Sequence, residues 1–244
     1  MISRLHICSS ISAGVIVLTA LAAAPACVAA VRGKVELRDS RDPAVKNRGD
    51  YSGVAITLKA THGTPPVAAA KAVIRQKDKT FTPHVLAVPV GTLVDFPNFD
   101  PIFHNAFSSY SGQVFDIGLY PPGTSRSVRF TREGVVRVFC NIHASMSAMI
   151  VVAATPYFAV TKRDGSFEIP TVPEGEYELS VFHERATDAV LQSLRKKVTI
   201  SGDTAVLPVL AISEAGYLSI PHTDKYGHDY QDTDGHPAYA SPVK

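Results

Sequence analysis

Little in this sequence repeats at helical period, no charge of one sign dominates, and tryptophan is absent. Lys and Arg number 24 against 22 Asp and Glu, for a net charge of +2. That near balance supplies neither the basic face that nucleic acid requires nor a pull toward an anionic membrane surface. After a segment near the N-terminus, no apolar run approaches the length of a bilayer span. What remains is rich in Val, Thr, Tyr and Phe, a composition that leans toward β structure. Cysteine is scarce: three in 244 residues.

Residues 1–30 have the layout of a secretory signal peptide. Arg4 gives a positive start, "ISAGVIVLTALAAA" an apolar stretch, and "APACVAA" small residues suited to cleavage. The Ala24-Pro25-Ala26 context before Cys27 matches a lipoprotein signal poorly. Cleavage near Ala30 and export to the periplasm as a soluble protein, with no membrane association afterwards, are therefore expected. Cys8 and Cys27 leave with the segment, and Cys140 stays alone. A lone cysteine in an oxidising compartment signals intermolecular pairing or a thiol with a task. Metal ligation protects a thiolate by occupying its lone pairs.

The remainder reads as short strands broken by Gly and Pro turns, the pattern of a sandwich or barrel. "GVAITLKATHG" alternates as a strand should, whereas "AAAKAVIRQKDKTF" carries both helix and strand signals. The spacing predicts an antiparallel sheet fold from about Lys71 to Thr155. "FAVTKRDGSFEIPTVPEGEYELSVFHE" and "KKVTISGDTAVLPVLAI" predict a second, smaller sandwich with turns at Asp164-Gly165, Glu174-Gly175 and Gly202-Asp203. The expected division is 1–30 signal, 31–155 first domain, 156–213 second domain and 214–244 disordered tail. The early strands, Val31–Thr61, could pack with either unit. The tail is polar and carries His222, His228 and His236, read as solvated.

Cys140, His143 and Met146 form C-x2-H-x2-M at the end of a strand. A loop that short can turn a thiolate, an imidazole and a thioether toward one point, a mixture that suits copper. Zinc more often draws further Cys or His ligands. "FPNFDPIFHNAFS" offers a second imidazole, His104, among aromatic neighbours that exclude water. Each residue has a plainer reading: Cys140 as a small buried hydrophobe, His104 as a loop histidine bonded to backbone, Met146 as a core filler. Met149 competes with Met146 but lies within "AMIVVA", where the core is its simplest place. His62, His84 and His183 have no partner at a useful spacing.

"DFPNFDPIFHNAFS" followed by "VFCNIHASM" resembles a cupredoxin, and the C-x2-H-x2-M spacing is similar to the ligand loop of amicyanins. The longer pattern "FTPHVLAVPVGTLVDFPN…FDIGLY…CNIH" is similar to periplasmic proteins of methylamine-utilisation type, over roughly residues 34–212. The resemblance implies an all-β chain, a cupredoxin Greek-key sandwich followed by a transthyretin-like or carboxypeptidase-regulatory-like sandwich. It also implies one type 1 copper per chain, with His104, Cys140 and His143 as equatorial ligands and Met146 axial. Asn105 is implied to lie outside the ligand set, its hydrogen bonds tying the two ligand loops together. Relatives of this type often carry an acidic residue after "CNIH", where this chain has Ala144 and Ser145.

The function these residues point to is one-electron transfer with an unidentified redox partner, with no nucleic acid involved. Two rivals stand beside it: a copper chaperone or buffer, and a two-sandwich binding or scaffold protein without metal. An enzyme ranks below all three, because no second histidine cluster and no nucleophile with a base partner is visible.

Overall fold

The computed structural model describes residues 28–63, 65–109, 112–218 and 222–230. The expected signal segment lies outside these residues, apart from Val28–Ala30 at the start of the first strand. There Ala29 is buried opposite Val172, and the Ala30 amide donates to the Asp203 carbonyl at 3.1 Å. Cleavage after Ala30 would therefore remove paired backbone.

The elements run in the following order. β1 (Val28–Arg38), α1 (Pro43–Arg48) and β2 (Ala55–Ala60) come first. β3 (Lys71–Val73), β4 (Arg75–Lys77), β5 (Thr80–Thr82), β6 (Val85–Pro89) and β7 (Leu93–Pro97) follow. Next are β8 (Phe107–Ser108), β9 (Phe115–Asp116), β10 (Ser125–Arg129), β11 (Gly134–Phe139) and β12 (Ser147–Ala153). Last come β13 (Phe158–Val160), β14 (Ser166–Pro173), β15 (Gly175–Phe182), α2 (Asp188–Leu194), β16 (Lys196–Ile200), β17 (Thr204–Val206) and β18 (Leu210–Ser213). The chain is all-β, as its composition suggests.

Two cores organise these strands. In the first, the sheet β6-β12-β11-β8-β9 faces the sheet β10-β7-β3. Alternation sends Val136 and Val138 of β11, and Ala148, Ile150 and Val152 of β12, inward against Phe96 and Phe130. Met149, Val151 and Ala153 are buried on the other face of β12, which explains why "AMIVVA" is apolar throughout. In the second core, β14-β1-β17 with β18 packs against β13-β2-β15-β16 around Ile56, Leu58, Ile169 and Leu179. The tight turn before β14 needs its glycine. Gly165 has φ +78°, and a Cβ there would stand 2.2 Å from the Val35 carbonyl oxygen.

Two readings left open are settled, and two expectations are corrected. The early strands belong to the second core: β1 pairs with β14, β17 and β18, and β2 with β13 and β15. The expected 31–155 unit thus loses its first strands, because alternation marks a buried face without saying which sheet covers it. The first unit is not purely antiparallel either, since β6 runs parallel to β12 and β3 to β7. The ambiguous alanine-rich stretch resolves into β3 and β4. The two short helices escape periodicity but carry caps: Asp42 Oδ1 accepts the Ala44 amide at 2.7 Å, and Thr187 Oγ1 accepts that of Val190 at 3.4 Å.

Candidate metal centre

The last pair of the β11–β12 ladder, Phe139 opposite Ser147, brackets the connection Cys140–Met146. Inside it the Cys140 amide donates to the Met146 carbonyl at 3.2 Å and the Met146 amide to the His143 carbonyl at 3.1 Å. His104 comes from the segment between β7 and β8, pinned by backbone bonds in both directions with Tyr120. Phe139 also pairs with Phe107, so both ligand-bearing segments hang from one sheet.

Cys140 Sγ lies 3.6 Å from His143 Nδ1 and 3.9 Å from His104 Nδ1, and the two imidazole centroids are 4.8 Å apart. With metal–sulfur near 2.3 Å and metal–nitrogen near 2.0–2.1 Å, a trigonal or tetrahedral centre separates S and N by about 3.6–3.8 Å. The sulfur–nitrogen distance to His143 falls in that range, and the one to His104 lies just above it. These three residues also form the group of metal-ligating side chains that converges among the described residues. Met146 is fully buried in the same core as Cys140, while Met149 faces away on β12, paired with Arg137 and Val85.

Hydrogen bonding prepares each group. His104 Nε2 donates to Asp100 Oδ2 at 2.7 Å, with both residues buried. That bond puts the proton on Nε2 and leaves the Nδ1 lone pair toward the sulfur, the tautomer a metal needs. Burial holds the His104 pKa below its ordinary value although Asp100 opposes it, so the ring stays neutral. Burial would raise the Asp100 pKa, but the amides of Lys79 and Asp78 and the His104 ring outweigh it and hold the carboxyl ionised. For Cys140 burial wins, and the thiol pKa is pushed up despite backbone amides of Ile142, Asn105 and His143 aimed at the sulfur. Those amides would stabilise a thiolate once a cation shares the site.

Asn105 Oδ1 accepts the Asn141 amide at 3.1 Å, and its Nδ2 donates to Asp116 Oδ1 at 2.7 Å. The side chain therefore spans both ligand-bearing segments. Burial raises the Asp116 pKa, but Lys225, the Gly118 amide and Asn105 outweigh it and hold the carboxyl low.

Asp100 and Asp116 were not singled out from the sequence. The signal for Asp100 was its place four residues before His104 in "DPIFH". The tail expectation also changes: His222, Lys225 and Tyr230 lie against the ligand connection, and 222–230 is not a solvated tail. His84 and His183, which offered no ligand spacing in the sequence, make other bonds, His84 at the surface and His183 in the core. His84 bridges Glu184 and the Ser147 carbonyl, and His183 donates to Glu214. Among the described residues no helix is long and apolar enough to cross a membrane.

No family model matches the chain, and no curated protein does either. Among solved structures, a purple cupredoxin from Nitrosopumilus maritimus is 26% identical at TM-score 0.31, over 34% of this chain and 99% of that one. A copper-containing nitrite reductase from Thermus scotoductus SA-01 is 24% identical at TM-score 0.32, over 49% of this chain and 28% of that one. An amicyanin mutant in its Cu(I) form is 19% identical at TM-score 0.32, over 40% of this chain and 98% of that one. These neighbours are cupredoxins or contain copper, and each likeness spans only part of this chain. The donor set and its spacing stand independently of them.

Proposed function

We propose that this chain is an exported one-electron carrier in which His104, Cys140 and His143 would hold a copper ion, with the buried Met146 as the candidate for a fourth, weaker ligand. The observation that supports this most is the convergence of one thiol and two imidazole Nδ1 atoms close to metal-centre spacing, inside a largely buried frame. Copper bound there would supply a single reversible electron, with no substrate bond made or broken.

The chain's own residues do the rest. Asp100 fixes the His104 tautomer. The amides of Asn105, Ile142 and His143 favour the charged sulfur. Asn105 prevents the two segments from drifting apart when charge changes. His143 is less buried than the other ligands and offers the route by which an electron meets a partner. A frame tied at this many points suits a carrier better than a metal donor, which must open to release its ion.

The deciding experiment is cyclic voltammetry of the copper-loaded protein together with copper(I) transfer to a chelator. A carrier gives a reversible one-electron wave and slow metal loss. Rapid transfer without a reversible wave would favour copper handling, and no uptake at all a scaffold.

A further inference from the structure

Three residues of the segment 222–230 reach the ligand connection, and none has a part in the function above. Tyr230 Oη donates to the Cys140 carbonyl at 2.7 Å. The His222 ring stacks on Phe139, centroids 4.0 Å apart and 28° from parallel, and its Nε2 donates to the Ala144 carbonyl at 2.8 Å. The Lys225 amide donates to Asn141 Oδ1 at 2.9 Å, and its ammonium meets Asp116 Oδ2 at 2.7 Å. Asn141 and Asp116 are also the two residues that Asn105 bonds. The segment thus grips the connection at its start, at its middle and through the groups that link it to the His104 side.

We propose that 222–230 is a strap built into the metal centre, with Tyr230, His222 and Lys225 as positioning residues that hold Cys140–Met146 in its ligand-presenting shape. The carbonyls of Cys140 and Ala144 lie beyond the β11–β12 ladder, and backbone acceptors there need donors from elsewhere. Tyr230 and His222 provide them. A connection ordered before the ion arrives loses less entropy on binding, and the ion then leaves more slowly. His222 acts as a flat ring and a donor, not as a ligand. Its consequence for copper rests on the function proposed above, whereas the ordering itself can be measured without metal.

Amide hydrogen exchange of the metal-free full chain, wild type against the His222→Ala/Tyr230→Phe double variant, tests this. Exchange across Cys140–Met146 should quicken by about tenfold or more, as expected for lost local hydrogen bonds, while β12 from Ala148 to Val152 stays unchanged. In the copper-loaded variant the thiolate charge-transfer band should shift, and copper(I) should pass to a chelator about 10–100-fold faster, the range seen when groups behind a ligand are removed. Unchanged exchange in the connection overturns the strap, as does an increase shared equally by β12, which marks general loosening. If the wild type takes up no copper, the proposed function fails while the exchange result still decides the strap.

Discussion

Each of the two cores holds one buried histidine whose Nε2 donates to a buried carboxylate: His104 to Asp100 at 2.7 Å, and His183 to Glu214 at 2.9 Å. Burial lowers both imidazole pKa values, and both rings keep a neutral Nδ1. Their other sides differ. His104 Nδ1 faces Cys140 and His143, whereas His183 Nδ1 has no hydrogen-bond partner among the described residues. Glu214 is shared with Arg185 Nε at 3.1 Å and Ser40 Oγ at 2.7 Å, which makes its cluster an ion-pair network. A histidine–carboxylate pair is thus a general way to fix a tautomer inside a sandwich. The connection between β11 and β12 adds the other ligands and turns one such pair into a candidate metal centre.

The largest expected effect breaks the structural member of the comparison. Glu214→Ala leaves Arg185 and His183 without their shared carboxylate, and removing one partner of a buried pair costs about 3–5 kcal/mol. Urea denaturation should show that loss, and loaded variant protein should keep an unchanged copper spectrum. Asp100→Asn makes the converse cut. Copper affinity should fall about 10–100-fold because the His104 tautomer is no longer enforced, with a smaller change in folding stability. Competition with a copper chelator measures it. Equal sensitivity of copper affinity to both substitutions would erase the distinction.

Met146 and Met149 sharpen it at the level of a single ligand. Met146→Gln should lower the reduction potential while retaining the charge-transfer band, since an amide oxygen favours the oxidised ion. Met149→Leu should leave both unchanged, because a volume-conserving swap costs under about 1.5 kcal/mol. Voltammetry of the two variants separates them, and a potential that follows Met149 would mean the ligand loop is misassigned.

The smallest effect concerns a third histidine, which joins the units. His84 donates to Glu184 Oε2 at 2.7 Å and to the Ser147 carbonyl at 3.0 Å, so both ring nitrogens carry protons. The Glu184 bond raises the His84 pKa, so its contribution is complete below about 6.5 and is lost as pH rises through the raised value. Burial pushes Glu184 upward, but His84 and Arg185 hold it below 4.5, so its share is lost only as pH falls through that lowered value. The pair therefore stabilises most between about 4.5 and 6.5. His84 is 44% exposed, so screening keeps the effect under about 1 kcal/mol. Wild type should lose that advantage over His84→Gln between pH 5.5 and 8.5 in denaturation curves, and parallel curves would remove the pair from the account.

Local features of the site were legible, and long-range ones were not. Cys140, His143 and Met146 sit so close in sequence that a short connection brings them together, and His104 announced itself by its Phe- and Pro-rich surroundings. Asp100 was hidden because a carboxylate four residues from a histidine meets it only if the intervening loop folds back, as it does around Asn98 and Ile102. The strap was hidden for a related reason: polar, Tyr- and His-rich composition reads as solvated until a surface for it is known. The same limit left the packing of β1 and β2 open, since their alternation is equally good against either sheet.

The central claim, that Cys140 and two imidazoles make a copper centre, meets its most direct test in the visible spectrum of the full chain titrated with copper(II). One equivalent should produce an intense thiolate-to-copper charge-transfer band that saturates at one copper per chain. Cys140→Ser should stay folded and colourless under the same titration. A wild type that remains colourless, or a Cys140→Ser variant that keeps the band, would contradict the account.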